Sequence, residues 1–348
     1  MTNQKTIRVG IIGAGGNSRA RHIPGFRALT NVEVVAVANR TRASGDKAAR
    51  ELNIPRVFDT YQDLLKDPLV DAVCIGTWPY MHYPITVAAL EADKHVLTEA
   101  RMAMDAVEAQ EMLHAARRRP ELVAMVVPSP FTFEVDKTVM ELIDQGYLGS
   151  VVSIELRSTT GAFPDFGGPM SWRQDRTLSG YNILTMGIWY EALMRWLGPA
   201  TKVMAMTKVT VPQRKGPDGR VESVTVPDHV DVVCDMACGA QAHLAVSAVT
   251  GLNRVNDIWL FGAEGTLYID GNTWKLYGGK KGGERKVQEI PIPDEKKGKW
   301  RVEEEFVNAI RGIEPVTTTT FEDGVKYMEF TEAVTRSAQA GQAIYLPL

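Results

Sequence analysis

A glycine-rich loop directly after the first apolar segment constrains this chain most. Ile7–Ile12 is a largely apolar run, and Gly13-Ala14-Gly15-Gly16-Asn17-Ser18 follows it at once. Gly13 permits a tight turn, and Gly15 lets the backbone approach a pyrophosphate bound at the next helix N-terminus. We therefore predict a Rossmann domain that binds a nicotinamide dinucleotide. The expected contacts in this loop are Gly13, Gly15, Gly16, Asn17 and Ser18, the last standing where the fingerprint has Gly or Ala.

Two patterns of hydrophobicity predict two domains in the 348 residues. Strand-like runs alternate with helical segments up to about residue 125, which indicates a parallel sheet with crossover helices. From residue 151 onward a period of two dominates, as in antiparallel strands. We predict an α/β Rossmann domain at residues 1–127. Residues 128–348 are predicted to form an α+β substrate and oligomerisation domain with a large, mostly antiparallel open sheet.

Composition narrows the class of partner. The chain has 39 Lys and Arg against 42 Asp and Glu, a net charge of −3, so no basic surface for nucleic acid or an anionic membrane is expected. The polar start Met1–Lys5 predicts no secretory signal, and no apolar run is long enough to span a bilayer. The cysteines Cys74, Cys234 and Cys238 indicate reduced thiols. We expect a cytoplasmic protein without a metal site that acts on a small molecule.

The end of the second predicted strand bears on the choice of dinucleotide. It reads Asn39-Arg40-Thr41 and lies 21 residues beyond Ser18, where an acidic residue would bind the ribose 2′-hydroxyl of NAD. No carboxylate is present here to repel a 2′-phosphate. The Arg40 guanidinium can stack on adenine or pair with that phosphate. These three residues are therefore added to the predicted cofactor site, which favours NADP over NAD.

Several short segments occur together in an order that resembles the Gfo/Idh/MocA oxidoreductases. They are the glycine loop, Val70-Asp71-Ala72-Val73, Thr77 with His82, Lys94 to Glu99, Trp172-Arg173 and Gly262-Ala263-Glu264-Gly265. The resemblance implies a Rossmann domain joined to an open-sheet domain, and oxidation or reduction of sugars, inositols and related polyols. It also implies homodimers or homotetramers, and cofactor contacts at Thr77, Trp78, His82, Glu99 and Arg173.

The sequence departs from that family at its catalytic positions. The Glu-Lys-Pro motif reads Glu99-Ala100-Arg101, so the lysine is missing. In the second motif, Thr185 stands for the aspartate and Trp189 for the histidine. The Thr-Pro-Asn segment becomes Thr77-Trp78-Pro79. The residues that the family uses to move a proton are therefore replaced.

Hydride transfer from an alcohol needs a group that takes the hydroxyl proton. Neither Ala100 nor Trp189 can do so. We predict Tyr181 and Glu191 as proton-exchanging groups and Arg101 as a fixed cation that orients the substrate. Trp172 and Trp189 are predicted to line the substrate pocket as aromatic walls.

Three functions remain open from the sequence. The first is an NAD(P)-dependent oxidoreductase of a sugar, polyol or related compound with a non-standard proton relay. The second is a redox-neutral lyase or glycosidase that uses bound NAD transiently. The third is a non-catalytic dinucleotide-binding sensor that keeps the fold after losing the catalytic residues.

Overall fold

The computed structural model describes residues 5–348, which divide into two compact units. The first runs up to Pro128 and includes Arg301–Val325, and the second comprises Ser129–Trp300 and Lys326–Leu348. The sequence placed the first boundary at residue 127 but assigned all of 128–348 to one domain. Arg301–Val325 joins the first unit because its apolar side chains are buried there, with Phe306 packed edge-on against Phe26 at 6.3 Å between ring centroids.

The first unit contains a six-stranded parallel sheet. Its order is β3-β2-β1-β4-β5-β6, the doubly wound order in which ligands bind at the carboxyl ends of the strands, beside the switch point between β1 and β4. The strands are β1 (Ile7–Ile12), β2 (Val32–Ala38), β3 (Arg56–Phe58), β4 (Ala72–Ile75), β5 (His95–Thr98) and β6 (Ala124–Val126). The apolar runs at 7–12, 32–38, 72–75, 95–97 and 123–127 predict five of these strands within a residue, and the short edge strand β3 is not predicted.

Ten α-helices are found in residues 5–348. They are α1 (Ile23–Arg27), α2 (Arg42–Leu52), α3 (Tyr61–Leu65), α4 (His82–Glu91), α5 (Ala106–Arg117), α6 (Phe133–Asp144), α7 (Arg176–Ser179), α8 (Met186–Leu197), α9 (Val302–Ile310) and α10 (Phe321–Ala340). The sequence pattern predicts one helix over roughly Ala20–Leu29, but the structure has a π-helical turn, Ser18–His22, followed by the short α1. Pro24 at the start of α1 has no N–H to donate, which favours a break here.

The second unit is built on a nine-stranded sheet that is antiparallel except between β7 and β12. Its order is β16-β15-β14-β13-β7-β12-β11-β8-β17. The members are β7 (Val151–Thr160), β8 (Ala200–Lys208), β11 (His229–Met236), β12 (Gln241–Ser247), β13 (Arg254–Gly262), β14 (Gly265–Asp270), β15 (Lys275–Lys280), β16 (Gln288–Ile290) and β17 (Ile344–Tyr345), with β9 (Gln213–Lys215) and β10 (Val221–Ser223) in a separate hairpin. The predicted fold class is confirmed.

Alternation along these strands separates a buried face from an open one. Val230, Val232 and Leu244 are buried, whereas Met204 and Met206 on β8 are 52% and 78% exposed. None of the helices in residues 5–348 is both long and apolar enough to cross a membrane. The prediction about secretion depends on Met1–Lys5, of which Met1–Gln4 lies outside the described residues.

Candidate functional site

The glycine loop after β1 has the geometry of a phosphate cradle. Gly13 has a φ of +86°, and a Cβ there would lie 2.9 Å from the backbone nitrogen of Thr77, so a side chain is excluded. A Cβ at Gly15 would meet only the Gly76 carbonyl oxygen, at 3.4 Å, and one at Gly16 would meet nothing within 4 Å. The loop therefore turns tightly at Gly13 and leaves open space over the next two glycines, which fits a dinucleotide pyrophosphate.

Ser18, at the third fingerprint position, packs into this turn. The side chain is buried, and its Oγ donates to the Gly13 carbonyl at 3.0 Å. Gly76, at the end of β4, faces it: a Cβ on Gly76 would lie 2.0 Å from the Ser18 Oγ. Serine is accommodated because the neighbouring strand ends in glycine, so the departure from Gly or Ala leaves the loop intact.

Asn39 and Thr41, predicted as cofactor contacts, hold the backbone around the loop. Asn39 Oδ1 accepts a hydrogen bond from the Ala14 N–H at 2.8 Å, and its Nδ2 donates to the Ser44 carbonyl at 3.0 Å. Thr41 caps α2 by accepting from the Ser44 N–H at 3.3 Å. The Asn39 side chain therefore links the glycine loop to the first turn of α2.

Two adjoining cavities, of about 260 and 270 Å³, lie at the carboxyl edge of β1, β2 and β4. Both are lined by the glycine loop, Asn39, Arg40, Thr77 and Tyr80. The Arg40 guanidinium carbon lies 5.8 Å from the ring centroid of Trp78, which lines one of them. A cation beside aromatic rings suits a nucleoside with a phosphate. Tyr80 was not predicted here, because nothing in its local sequence marks it.

A buried imidazole stands between two carboxylates in the same unit. His22 Nδ1 lies 2.5 Å from Glu303 Oε1, and Nε2 lies 2.8 Å from Glu99 Oε1. Asn17 of the glycine loop donates from Nδ2 to the same Glu99 oxygen. Burial lowers the pKa of His22, but the hydrogen bonds and charges of Glu303 and Glu99 outweigh it and raise that pKa to about 9. His22 is therefore an imidazolium at neutral pH, and it holds Glu99 beside the loop.

His82 and Arg101 belong to the same unit and are both buried. His82 Nδ1 is 2.9 Å from the carbonyl oxygen of Arg101, and Nε2 is 3.1 Å from that of Thr77. Burial lowers the pKa of His82 and outweighs the hydrogen bonds to the Thr77 and Arg101 carbonyls, which raise it. His82 thus fixes the backbone on which Thr77 and Arg101 stand.

In the second unit, Glu191 belongs to a buried network. It accepts from the Ser129 N–H at 3.0 Å and lies 3.3 Å from the Arg195 guanidinium. Arg195 also pairs with Asp136, which accepts a hydrogen bond from the indole of Trp196 at 2.7 Å. These contacts favour a structural role. The catalytic role of Glu191 stays a prediction.

The other predicted residues of the second unit lie in different surroundings. Trp189 is 3% exposed and packs 4.8 Å from Phe131 and 6.1 Å from Trp274, measured between ring centroids. The Arg173 guanidinium carbon lies over Trp172, 4.2 Å from its ring centroid. Tyr181 is half-buried, with the Arg176 guanidinium 5.1 Å from its ring centroid. Trp189 is thus a core aromatic, and Tyr181 is the more accessible side chain.

Comparison with family models decides the family. Residues 7–126 match the model described as "Oxidoreductase family, NAD-binding Rossmann fold", and residues 137–268 match the GFO/IDH/MocA C-terminal domain. The chain belongs to the GFO/IDH/MocA oxidoreductases. The family predicted from the sequence is confirmed, and so is an NAD-binding oxidoreductase fold.

Named relatives are similar over most of the chain. The trans-1,2-dihydrobenzene-1,2-diol dehydrogenase of Mus musculus is 28% identical over 75% of this chain and 72% of its own length. The levoglucosan dehydrogenase of Pseudarthrobacter phenanthrenivorans is 25% identical over 76% and 74%. A solved levoglucosan dehydrogenase in complex with NADH and L-sorbose has the same fold, with a TM-score of 0.87 and 20% identity over 98% of this chain and 99% of its own.

Protonation of His22 gives a testable pH dependence. Its pKa in the folded protein, about 9, is above the value of 6.5 for an unperturbed histidine. The stabilisation is therefore complete below pH 6.5 and is lost as the pH rises through about 9. We expect His22→Gln to be less stable than the wild type near pH 6.5, by a margin that shrinks toward pH 9.

Urea unfolding across this pH range measures that margin, with His114→Gln, an exposed histidine on α5, as the matched control. An NMR titration of the His22 ring gives its pKa directly. A value at or below 6.5 would contradict the assignment.

Proposed function

We propose that this protein is an NADP(H)-dependent oxidoreductase that transfers hydride between the nicotinamide and a hydroxyl-bearing carbon of a sugar, polyol or related compound. The observation that carries the choice of NADP is the pair Asn39 and Arg40 at the end of β2. The Asn39 side chain is committed to the backbone on both its oxygen and its nitrogen. Because residue 39 is an asparagine, the position that binds the ribose hydroxyls in NAD enzymes has no carboxylate.

Arg40 supplies the charge that a 2′-phosphate requires. It is exposed, lines both cavities, and has no carboxylate within 4 Å among residues 5–348. Asp59 is the carboxylate that lines one of these cavities, and it lies 3.2 Å from Arg42. A guanidinium without an ion pair beside the ribose position supports preference for the phosphorylated dinucleotide.

The substrate class is supported by the named relatives. One is called a levoglucosan dehydrogenase and another a dehydrogenase of a cyclic trans-diol. Both names denote compounds that carry hydroxyl groups on a ring. We propose a substrate of the same kind for this chain, with the ring hydroxyl as the site of oxidation.

For the proton of that hydroxyl we propose Tyr181. The Tyr181 hydroxyl has no hydrogen-bond partner among residues 5–348, and the Arg176 guanidinium holds its ring by a cation–π contact. Glu191 is a weaker candidate because the Ser129 N–H and Arg195 already engage its carboxylate. Arg101 is proposed to orient the substrate as a fixed positive charge, since a guanidinium does not exchange protons at neutral pH.

We further propose that the protein is a homo-oligomer of the cytoplasm. The open face of the nine-stranded sheet carries exposed Met204, Met206 and Val233, which a second copy would cover. Cys74 and Cys234 are buried free thiols, as expected in a reducing compartment.

Removing the Arg40 charge tests the cofactor proposal. We expect Arg40→Ala to weaken NADPH binding roughly tenfold or more, because one charge-assisted pair is lost, and to change NADH binding little. Arg50→Ala, an exposed arginine later on α2, is the matched control. Fluorescence titration gives both dissociation constants. An equal loss for the two dinucleotides in Arg40→Ala would overturn the role.

Removing the Tyr181 hydroxyl tests the proton relay. Tyr181→Phe keeps the ring over which Arg176 lies, so we expect NADPH affinity to be unchanged. The loss of a general acid–base group lowers kcat by about 10²- to 10⁴-fold. Steady-state assays over a panel of sugars and polyols measure kcat, with Tyr345→Phe at an exposed position as control. Unaltered kcat in Tyr181→Phe would rule the hydroxyl out.

A further inference from the structure

A cavity of about 270 Å³ lies entirely within the second unit. Its walls come from the segment after β7, the Trp172–Gln174 turn, the β9–β10 hairpin and the end of β12. We propose that it binds a small organic acid, with Arg173 and Arg214 holding the carboxylate and the apolar walls holding a compact ring. None of the site residues predicted from the sequence other than Arg173 lines it.

Two guanidinium groups face this cavity without an ionic partner. Arg173 has no carboxylate within 4 Å among residues 5–348, and its guanidinium lies over the Trp172 ring at 4.2 Å. Arg214 donates from Nη1 to the Gly168 carbonyl at 3.2 Å, and its buried Nε has no hydrogen-bond partner in the described part of the chain. A buried guanidinium N–H without an acceptor, as at Arg214 Nε, is costly, and a planar carboxylate matches guanidinium geometry.

Unlike the two arginines, the carboxylates that line the cavity, Asp165 and Asp228, accept several hydrogen bonds from backbone N–H groups. Asp228 accepts from the Thr210 N–H at 2.9 Å and from the Val211 N–H at 3.2 Å. Asp165 accepts at 3.0 Å from the N–H groups of Gly167 and Gly168. Both are therefore used to hold loop backbone. The two guanidinium groups offer more unused donors than the single carboxylate oxygen, Asp165 Oδ2, that accepts no hydrogen bond from residues 5–348, which favours an anion over a cation.

The remaining walls are apolar. Leu184, Val211, Val224 and Val226 line the cavity, and Phe163 covers one side while being 67% exposed. Leu184 is held at a φ of +46°, a conformation that costs energy for a branched residue and that occurs preferentially at functional sites. The volume is just below the roughly 300–1,000 Å³ of pockets for drug-sized ligands, so a single ring with one acid group fits.

Three probes test the proposal on the protein without dinucleotide, so failure here is distinct from failure of the proposed function. Benzoate carries the ring and the charge, benzamide only the ring, and acetate only the charge. We expect calorimetry to show benzoate binding about tenfold or more tightly than either of the others. Arg173→Gln and Arg214→Gln should each abolish that preference. Arg214→Lys should keep part of it, because charge remains without the planar fork.

Arg220→Gln is the matched control, since Arg220 lies by the same hairpin, its side chain is 87% exposed and it does not line the cavity. Thermal unfolding midpoints identify any variant that is not folded. Equal binding of benzoate and benzamide, or a preference for benzoate that survives in both folded glutamine variants, would overturn the proposal.

The acid group can belong to the substrate or to a separate small acid. In turnover with a sugar or polyol, competitive inhibition by benzoate assigns the cavity to the substrate, and noncompetitive inhibition assigns it to a second ligand. Either kind of inhibition by benzoate supports the site if the inhibition is lost in Arg173→Gln and Arg214→Gln. Inhibition that persists in these variants contradicts it.

Discussion

The buried imidazolium of His22 organises the cofactor half of this protein. It joins Glu99, at the end of β5, to Glu303 on α9, and Glu99 in turn accepts from Asn17 of the glycine loop. Removing one partner from a buried charge network leaves uncompensated charge, which typically costs several kcal/mol. Three distant segments of the chain therefore meet at the His22 ring. This pairing accounts for the place of Arg301–Val325 in the first unit.

The same unit shows how a changed fingerprint can leave a dinucleotide loop intact. Ser18 replaces the third small residue, and the space for it comes from Gly76 on the neighbouring strand. Asn39 replaces the expected carboxylate and fastens the loop to α2. In the second unit, Trp189 replaces the family's histidine and packs between Phe131 and Trp274. The geometry of the loop therefore fits a dinucleotide, and at position 189 an aromatic ring packs in the core.

Local patterns predicted most of the fold, and long-range contacts account for what they did not. Continuous apolar runs located β1, β2 and β4, and the period-two alternation located the second sheet. The pairing of His22 with Glu303 joins residues 281 positions apart, and no local pattern marks it. Likewise, Glu191 has a carboxylate of the kind that exchanges protons, but its contacts with Ser129 and Arg195 exist only in the folded chain. Tyr80 and Arg214 line cavities that exist only in the folded chain, so no local pattern marks them either.

The most direct test concerns the 2′-phosphate, because the cavity beside Arg40 and the committed Asn39 side chain together predict that it is recognised. Adenosine 2′,5′-bisphosphate and adenosine 5′-monophosphate differ only in that group. Calorimetric titration of the wild-type protein with each compares their affinities without any need for a substrate. We predict that the bisphosphate binds about tenfold or more tightly, as one charge-assisted guanidinium–phosphate pair provides. Equal affinities, or tighter binding of the monophosphate, would contradict the assignment of this site to NADP.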